Sequence, residues 1–245
     1  MKSFEKKKVF KKIDLTILIP CYNEAEVIAE TLNNIITVFK SEKIEHEILC
    51  VNNACTDLTE SILKKYAIKY SFIRYISTSK KGYGIAIKAG LEACQGDAVV
   101  TVMADGSENP MDIVSIYKKL NEGYDCVCGN RFRAENSLKN YPKIKLFLNR
   151  IGNRAFGAIL GGSFDDLTYA FKCYKTNYIK RVKSLKSESF DINLELFLNI
   201  YFAGASVGEI SVTWQERNGG ISKFNLAKEC YLNLLTFLRV YLSRH

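Results

Sequence analysis

Histidine is nearly absent from this chain: among 245 residues only His46 and His245 occur. Histidine-based catalysis is therefore not expected. No stretch approaches the roughly 18 consecutive apolar residues of a membrane span. Met1–Lys12 is charged and has neither an apolar core nor a cleavage site, so no signal peptide is expected. Internal repeats and low-complexity linkers are missing too, which points to one folded unit. No element interleaves aromatic with basic residues, so nucleic acid is not an expected partner. Cysteine is the exception to this sparseness, with eight residues. They are scattered through a chain too long to need a disulfide framework, so reduced thiols and a cytoplasmic setting are expected. Cys126 and Cys128, two apart on an expected strand, share a face and read as packing.

What is present is ordinary for a globular protein: 47% hydrophobic and 25% charged residues. Lys and Arg outnumber Asp and Glu by 35 to 26, a net charge of +9. That excess suits phosphates or an acidic membrane surface. The expected organisation is a basic lead-in over 1–14, one domain over 15–224 and a C-terminal amphipathic helix over 225–245. Leu15–Pro20, His46–Val51, Ile73–Ser77, Asp97–Met103 and Asp125–Gly129 read as strands. Helical spacing runs from Ile28 to Phe39 behind Asn23 as a cap, and again over Thr59–Lys69, to Cys94 and over Pro110–Asn121. This alternation predicts an α/β fold, a mostly parallel central sheet with helices on both faces. Beyond Arg131 the rhythm changes: a basic helix over Pro142–Leu160, a strand over Leu167–Tyr174, a helix over Asp191–Ala203, a strand over Ser206–Val212 and a last helix over Asn225–Ser243.

The most informative stretch is Asp97–Pro110, DAVVTVMADGSENP. An apolar run ends abruptly at Asp105 and Gly106, where ligands of open α/β sheets gather. A carboxylate there can hold a divalent metal against a diphosphate. Two further strand-end segments, PCYNEAE (20–26) and VNNACTD (51–57), and GNRF (129–132) converge on the same sheet edge. Lys80–Gly84 opens a helix whose backbone N–H groups attract phosphate. Its glycine spacing and late position exclude a Rossmann dinucleotide fingerprint.

These segments, with DDLTYAFKCYK (165–175) and WQERNGGISKF (214–224), resemble the family 2 glycosyltransferases, within them the dolichyl-phosphate mannosyltransferase-like branch. The resemblance covers about 15–224. It implies a GT-A-type fold that transfers a sugar from a nucleotide diphosphate donor, with Mg²⁺ or Mn²⁺ as cofactor. It places Pro20, Tyr22, Glu24, Asn52, Asn53, Lys81, Gly82, Ala104 and Asp105 along the nucleotide sugar. Asn52 and Asn53 stand where the family usually has two acids, and Asp57 matches the acidic residue later in that loop. Asp105 aligns with the second carboxylate of the Asp-X-Asp signature and is the metal ligand; Met103 stands at the first, where a thioether is too soft for magnesium. Arg131, Arg217 and Lys223 match positions near phosphates, whereas Arg150 and Arg154 read as solvated or membrane-facing. Asp105, Arg131, Arg217 and Glu195 form the expected catalytic set. Asp166 and Glu195 match acidic family positions and are read as orienting an arginine or completing the metal shell.

The acceptor decides whether a base is needed. A phosphate monoester, with a second pKa near ~6, is largely dianionic at neutral pH, whereas a sugar hydroxyl must lose a proton. The expected activity is inverting transfer of a hexose to polyprenyl phosphate by a peripheral protein that reaches lipid directly or through a partner subunit. Two other readings stand beside it: a family 2 enzyme acting on a sugar hydroxyl in glycan assembly, and a catalytically impaired nucleotide-sugar-binding subunit. Asn52, Asn53 and Met103 motivate the last.

Overall fold

A computed structural model describes residues 12–133, 143–162, 164–215 and 225–244. The first half alternates β1 (Leu15–Cys21), α1 (Ile28–Phe39), β2 (His46–Asn53), α2 (Thr59–Lys69), β3 (Ile73–Thr78), α3 (Tyr83–Ala93), β4 (Ala98–Thr101), α4 (Pro110–Leu120) and β5 (Cys126–Asn130). There follow α5 (Lys143–Ile159), β6 (Lys172–Lys175), α6 (Thr176–Ile179), α7 (Ile192–Phe202), β7 (Val207–Ser211) and α8 (Leu226–Leu242). The strands form one seven-stranded sheet in the order β3-β2-β1-β4-β6-β5-β7. β6 is antiparallel to both neighbours, and the other pairings are parallel.

Every residue of β1 is buried, as expected of a strand covered on both faces. Its side chains alternate between two cores. Leu15, Ile17, Ile19 and Cys21 pack with α1 and α4, while Leu18 packs with α3, α7 and α8 on the other face. α1 turns Ile28, Leu32, Ile35, Ile36 and Phe39 inward at three- and four-residue spacing. Asn109 caps α4 by accepting from the Met111 amide, with Pro110 in the first turn, where a missing N–H costs nothing. α8 packs on α7 and inserts Phe237 and Val240 into the second core.

Three local expectations are corrected. The strand foreseen over Leu167–Tyr174 shortens to Lys172–Lys175, because Asp166–Tyr169 turns back through a Tyr169 N–H to Asp166 carbonyl bond. The strand foreseen over Asp97–Met103 shortens to Ala98–Thr101. Asn23 does not cap α1, which begins at Ile28 behind Val27. Instead it adopts φ 53°, and its side chain joins the second strand-end loop: Oδ1 accepts from the Thr56 amide at 2.8 Å and Nδ2 donates to the Thr56 hydroxyl at 3.2 Å.

At the opposite sheet edge, buried Glu47 accepts from the Thr16 hydroxyl (2.7 Å), the Gln95 amide (2.7 Å) and Arg74 Nε (2.8 Å). The Gly96 amide donates to Thr16 Oγ1 at 2.9 Å. One carboxylate thus ties β1, β2, β3 and the turn into β4. Replacing Glu47 by Ala should cost about 3 kcal/mol, a fall in Tm of roughly 6–12 °C for a chain of this size. Differential scanning calorimetry checks this; an unchanged Tm contradicts it.

Candidate active site

The carboxyl ends of β1, β2 and β4 open into a cleft of about 1660 Å³. Pro20, Tyr22 and Glu24 line it from β1, Asn53 from β2, and Lys81 and Gly82 from the turn into α3. Lys81 Nζ sits over the Tyr22 ring, 4.3 Å from its centroid. This contact holds the cation beside the α3 N-terminus, where backbone amides favour an anion. Gly84 is required here: a Cβ would lie 2.6 Å from the Ser187 carbonyl oxygen, blocking the approach of the 186–188 loop.

The two asparagines at the end of β2 differ in place. Asn53 spends its amide on the loop: Nδ2 donates to Thr78 Oγ1 (2.6 Å) and the Lys80 carbonyl (2.9 Å), while Oδ1 accepts from the Gly82 amide (2.8 Å). Asn52 is buried, donates to Ser77 Oγ at 3.1 Å and does not line the cleft. Ala104 is also buried away from it, its carbonyl accepting from Thr31 Oγ1 at 2.8 Å. Asp57 bridges loops as well as capping: Oδ1 accepts from the Thr59 amide (3.0 Å) and Oδ2 from the Ala25 amide (3.1 Å). The Thr59 hydroxyl and these amides draw its pKa below the ordinary carboxylate value, against an opposing burial effect that is the largest single influence.

Asp105 faces the cleft. Gly106, at φ +69°, turns the chain so that the Ser107 amide donates to Asp105 Oδ1 at 3.1 Å. It does not cap α4, which Asn109 does. Three residues on, Glu108 enters the same cleft; it lies inside the DAVVTVMADGSENP stretch, whose pattern gives it no role of its own. It is 4% exposed; Oε1 accepts from the Tyr169 hydroxyl (3.0 Å) and Oε2 from the Met103 amide (3.0 Å). Burial, then the neighbouring Asp105 charge, pushes its pKa up to about 7. The signal available in the sequence is spacing alone: a second carboxylate inside a tight strand-end turn.

Arg131 is held rigidly at the end of β5. Nε and Nη2 each meet Asp166 at 2.8 Å, the Arg131 amide donates to Asp166 Oδ2 at 3.1 Å, and the guanidinium lies 3.9 Å from the Tyr169 ring centroid. Asp166 is thus an orienting residue. Glu195 does not line the cleft: its carboxylate accepts from the Lys186 and Ser187 amides (3.0 and 2.7 Å) and Arg239 (2.9 Å). That geometry makes it a positioning residue for the 186–188 loop and an orienting partner of Arg239. Arg150 lies 5.3 Å from the Phe132 ring centroid, and exposed Arg154 pairs with Asp165 at 3.6 Å. Arg217 and Lys223 lie outside the described residues.

Among the described residues no group of three or more His, Cys, Asp or Glu is arranged to hold a metal. Magnesium commonly takes one or two protein carboxylates plus waters and phosphate oxygens. Asp105, with the Glu108 carboxyl close enough to feel its charge, fits that donor set; the Met103 thioether does not.

The mostly parallel sheet, with its cleft at the strand ends, has the architecture of a GT-A-type fold. Residues 16–183 match the Glycosyl transferase family 2 model, and the chain belongs to that family. The polyprenol monophosphomannose synthase of Mycolicibacterium smegmatis is 26% identical over 216 residues, covering 85% of this chain and 80% of that protein. The dolichyl-phosphate hexose transferase of Haloferax volcanii is 27% identical over 211 residues, covering 84% and 85%. Glucosyl-3-phosphoglycerate synthase from Mycobacterium tuberculosis, solved with Mn²⁺, uridine diphosphate and glucosyl-3-phosphoglycerate, shares the fold with a TM-score of 0.69 at 15% identity. The match covers 95% of this chain and 80% of that one. The same enzyme has also been solved with Mg²⁺ and uridine diphosphate.

Two outcomes follow. Breaking the buried Arg131–Asp166 pair with Asp166→Asn should destabilise by about 3–5 kcal/mol, whereas the double variant Arg131→Met/Asp166→Leu should recover part of that loss. Chemical denaturation distinguishes them, and equal midpoints for single and double variants contradict the pair's isolation from water. For Glu108, the unfolded chain loses its proton near the ordinary value of 4.5, while the fold keeps it up to about 7. The stability it confers is complete below 4.5 and drains away as pH rises through 7. In metal-free protein, Glu108→Gln should therefore gain Tm relative to the parent between pH 5 and 8; parallel pH curves would refute this.

Proposed function

We propose that the chain transfers a hexose from a nucleotide diphosphate sugar to a polyprenyl phosphate, with inversion at the anomeric carbon. The carrying observation is that one cleft joins an anion-binding end to an exposed apolar helix face. Lys81, the α3 N-terminus and Arg131 supply the positive end. At the other end, Leu232 and Leu235 of α8 line the cleft. From there Tyr231, Leu234, Leu235, Leu238 and Leu242 run along α8 at 43–68% exposure. Their three- and four-residue spacing makes one stripe. No helix among the described residues is long and apolar enough to cross a membrane. The stripe and the +9 charge suit peripheral contact with an anionic bilayer instead. The names of the Mycolicibacterium and Haloferax relatives support a lipid-phosphate acceptor.

In this reading Lys81 and the α3 amides orient the donor diphosphate. The Arg131 guanidinium, fixed by Asp166, stabilises charge as the sugar–phosphate bond breaks. Arg217 and Lys223 are assigned to the same phosphates on the family pattern. Asp105 would hold Mg²⁺ or Mn²⁺, which would supply positive charge against the leaving diphosphate. The acceptor phosphate attacks as an anion, so no base is required.

A hydroxyl acceptor is the second reading, and Glu108 favours it: a second carboxyl lining the cleft beside Asp105 is placed to act as a general base. The test incubates purified protein with Mn²⁺, nucleotide sugars and undecaprenyl phosphate in anionic vesicles. Glycolipid should form, EDTA should stop it, and Asp105→Asn should lower kcat by about 10²–10³. Glu108→Gln should then change kcat only modestly. Near-total loss in that variant with donor binding intact favours the hydroxyl acceptor. Donor binding without turnover on any acceptor would leave an impaired binding subunit.

A further inference from the structure

The cleft wall built by α8 and the 186–191 loop carries hydrogen-bond acceptors that lack donors among the described residues. Glu229, in the first turn of α8, is 4% exposed. Its Oε1 accepts from the Ser189 hydroxyl at 2.7 Å, but Oε2 is buried with no hydrogen-bond partner among the described residues. One turn on, Asn233 shares that helix face. Its Nδ2 donates to the Glu229 carbonyl at 2.8 Å, and its Oδ1 is likewise buried and without a partner among the described residues. Asp191, also 4% exposed, accepts from Thr236 Oγ1 at 2.7 Å. All three residues line the cleft. Burial raises the Glu229 pKa, and the Asp191 charge adds to that, while the Ser189 hydroxyl, the Lys228 charge and the Phe190 amide oppose it.

An acceptor buried without a donor costs about 1–3 kcal/mol, and more if charged. A ligand that brings O–H or N–H groups removes that cost. A phosphate dianion brings no donor and is repelled by two carboxylates, and a polyprenyl chain brings neither charge nor donor. A sugar ring presents several hydroxyls on adjacent carbons. The wall also adjoins the anion-binding end. Tyr83, one residue beyond Gly82, stacks on Phe190 at 4.3 Å between centroids and donates to Asn193 Oδ1 at 3.3 Å.

We propose that Glu229 and Asn233, backed by Asp191, receive hydroxyls of the donor's sugar and thereby set which hexose is transferred. This deepens the transferase reading above and rests on it, since there the donor brings the only sugar. Glu229→Gln is the sharpest probe. Ser189 keeps donating to the remaining carbonyl oxygen, so the amide group falls at the orphaned position and turns an acceptor into a donor.

Calorimetric titration with Mn²⁺ present compares UDP with UDP-glucose and GDP with GDP-mannose on the parent chain, Glu229→Gln and Asn233→Ala. For whichever nucleotide sugar the parent binds, Glu229→Gln should weaken binding about ten-fold or more. The matching nucleotide diphosphate should bind within about two-fold of the parent, and Tm should not fall, because the Ser189 hydrogen bond is kept while a buried acceptor without a donor is removed. Steady-state kinetics should show the loss in donor KM and not in acceptor KM. Parent-like sugar affinity in Glu229→Gln, a loss shared equally by the nucleotide alone, or a change confined to acceptor KM overturns the inference and leaves the transferase reading standing. Should Glu229→Gln misfold, Asn233→Ala takes its place: weaker sugar binding with unchanged nucleotide binding supports the inference, and any of those three results overturns it. If the parent binds no nucleotide sugar, both readings fall together.

Discussion

The buried carboxylate of Glu47 is the fixed point of the fold. It sits at the end of the sheet remote from the cleft and gathers donors from β1, β3 and the turn before β4. Side chains alternate faces along a strand, so a slip of one residue would exchange the two cores. Pinning these strands at one edge therefore determines which residues emerge at the other. Tyr22, Asn53 and Asp105 reach a common cleft because parallel strands of fixed register end beside it. The site inherits its precision from an interaction that takes no part in its chemistry.

Within the cleft, rigidity comes from a second buried carboxylate. Asp166 occupies two guanidinium donors of Arg131, and Tyr169 covers its face. Tyr169 also donates to Glu108, whose other oxygen takes the Met103 amide. A continuous chain of contacts thus runs from the cleft arginine to the strand end that carries Asp105. A cation fixed this way stabilises developing charge without having to reorganise when the bond breaks. A lysine at position 131 would keep the charge but lose the planar fork that Asp166 grips.

The first half of the fold is legible because its strands are continuous apolar runs and its helices keep a regular period. From β1 to β5 the elements fall within a few residues of the positions that pattern predicts. Legibility fails where long-range hydrogen bonding overrides local pattern. The apolar stretch around Leu167–Phe171 looks like a strand, yet Asp166 anchors it to Arg131 and it pairs only from Lys172. Asn23 has the chemistry of a helix cap but serves a neighbouring loop. In the site, motif alignment leads to Asp105 and Arg131, whose places depend on strand ends. It cannot tell that Asn53 is used up in fastening the Lys80–Gly82 turn or that Ala104 points into the core. Glu229 lies beyond any motif, and its interest arises only from an unmet hydrogen bond.

The exposed leucine stripe and the inward polar face belong to the same helix, α8. For a substrate with a long hydrocarbon tail this has an energetic meaning. The tail can stay among acyl chains while its head alone enters from the side, so extraction into water, at about 0.8 kcal/mol for each methylene, is avoided. On the proposed lipid-phosphate reading, access would depend on how deeply this helix settles into the headgroup layer, and lipid packing would act as a rheostat for turnover.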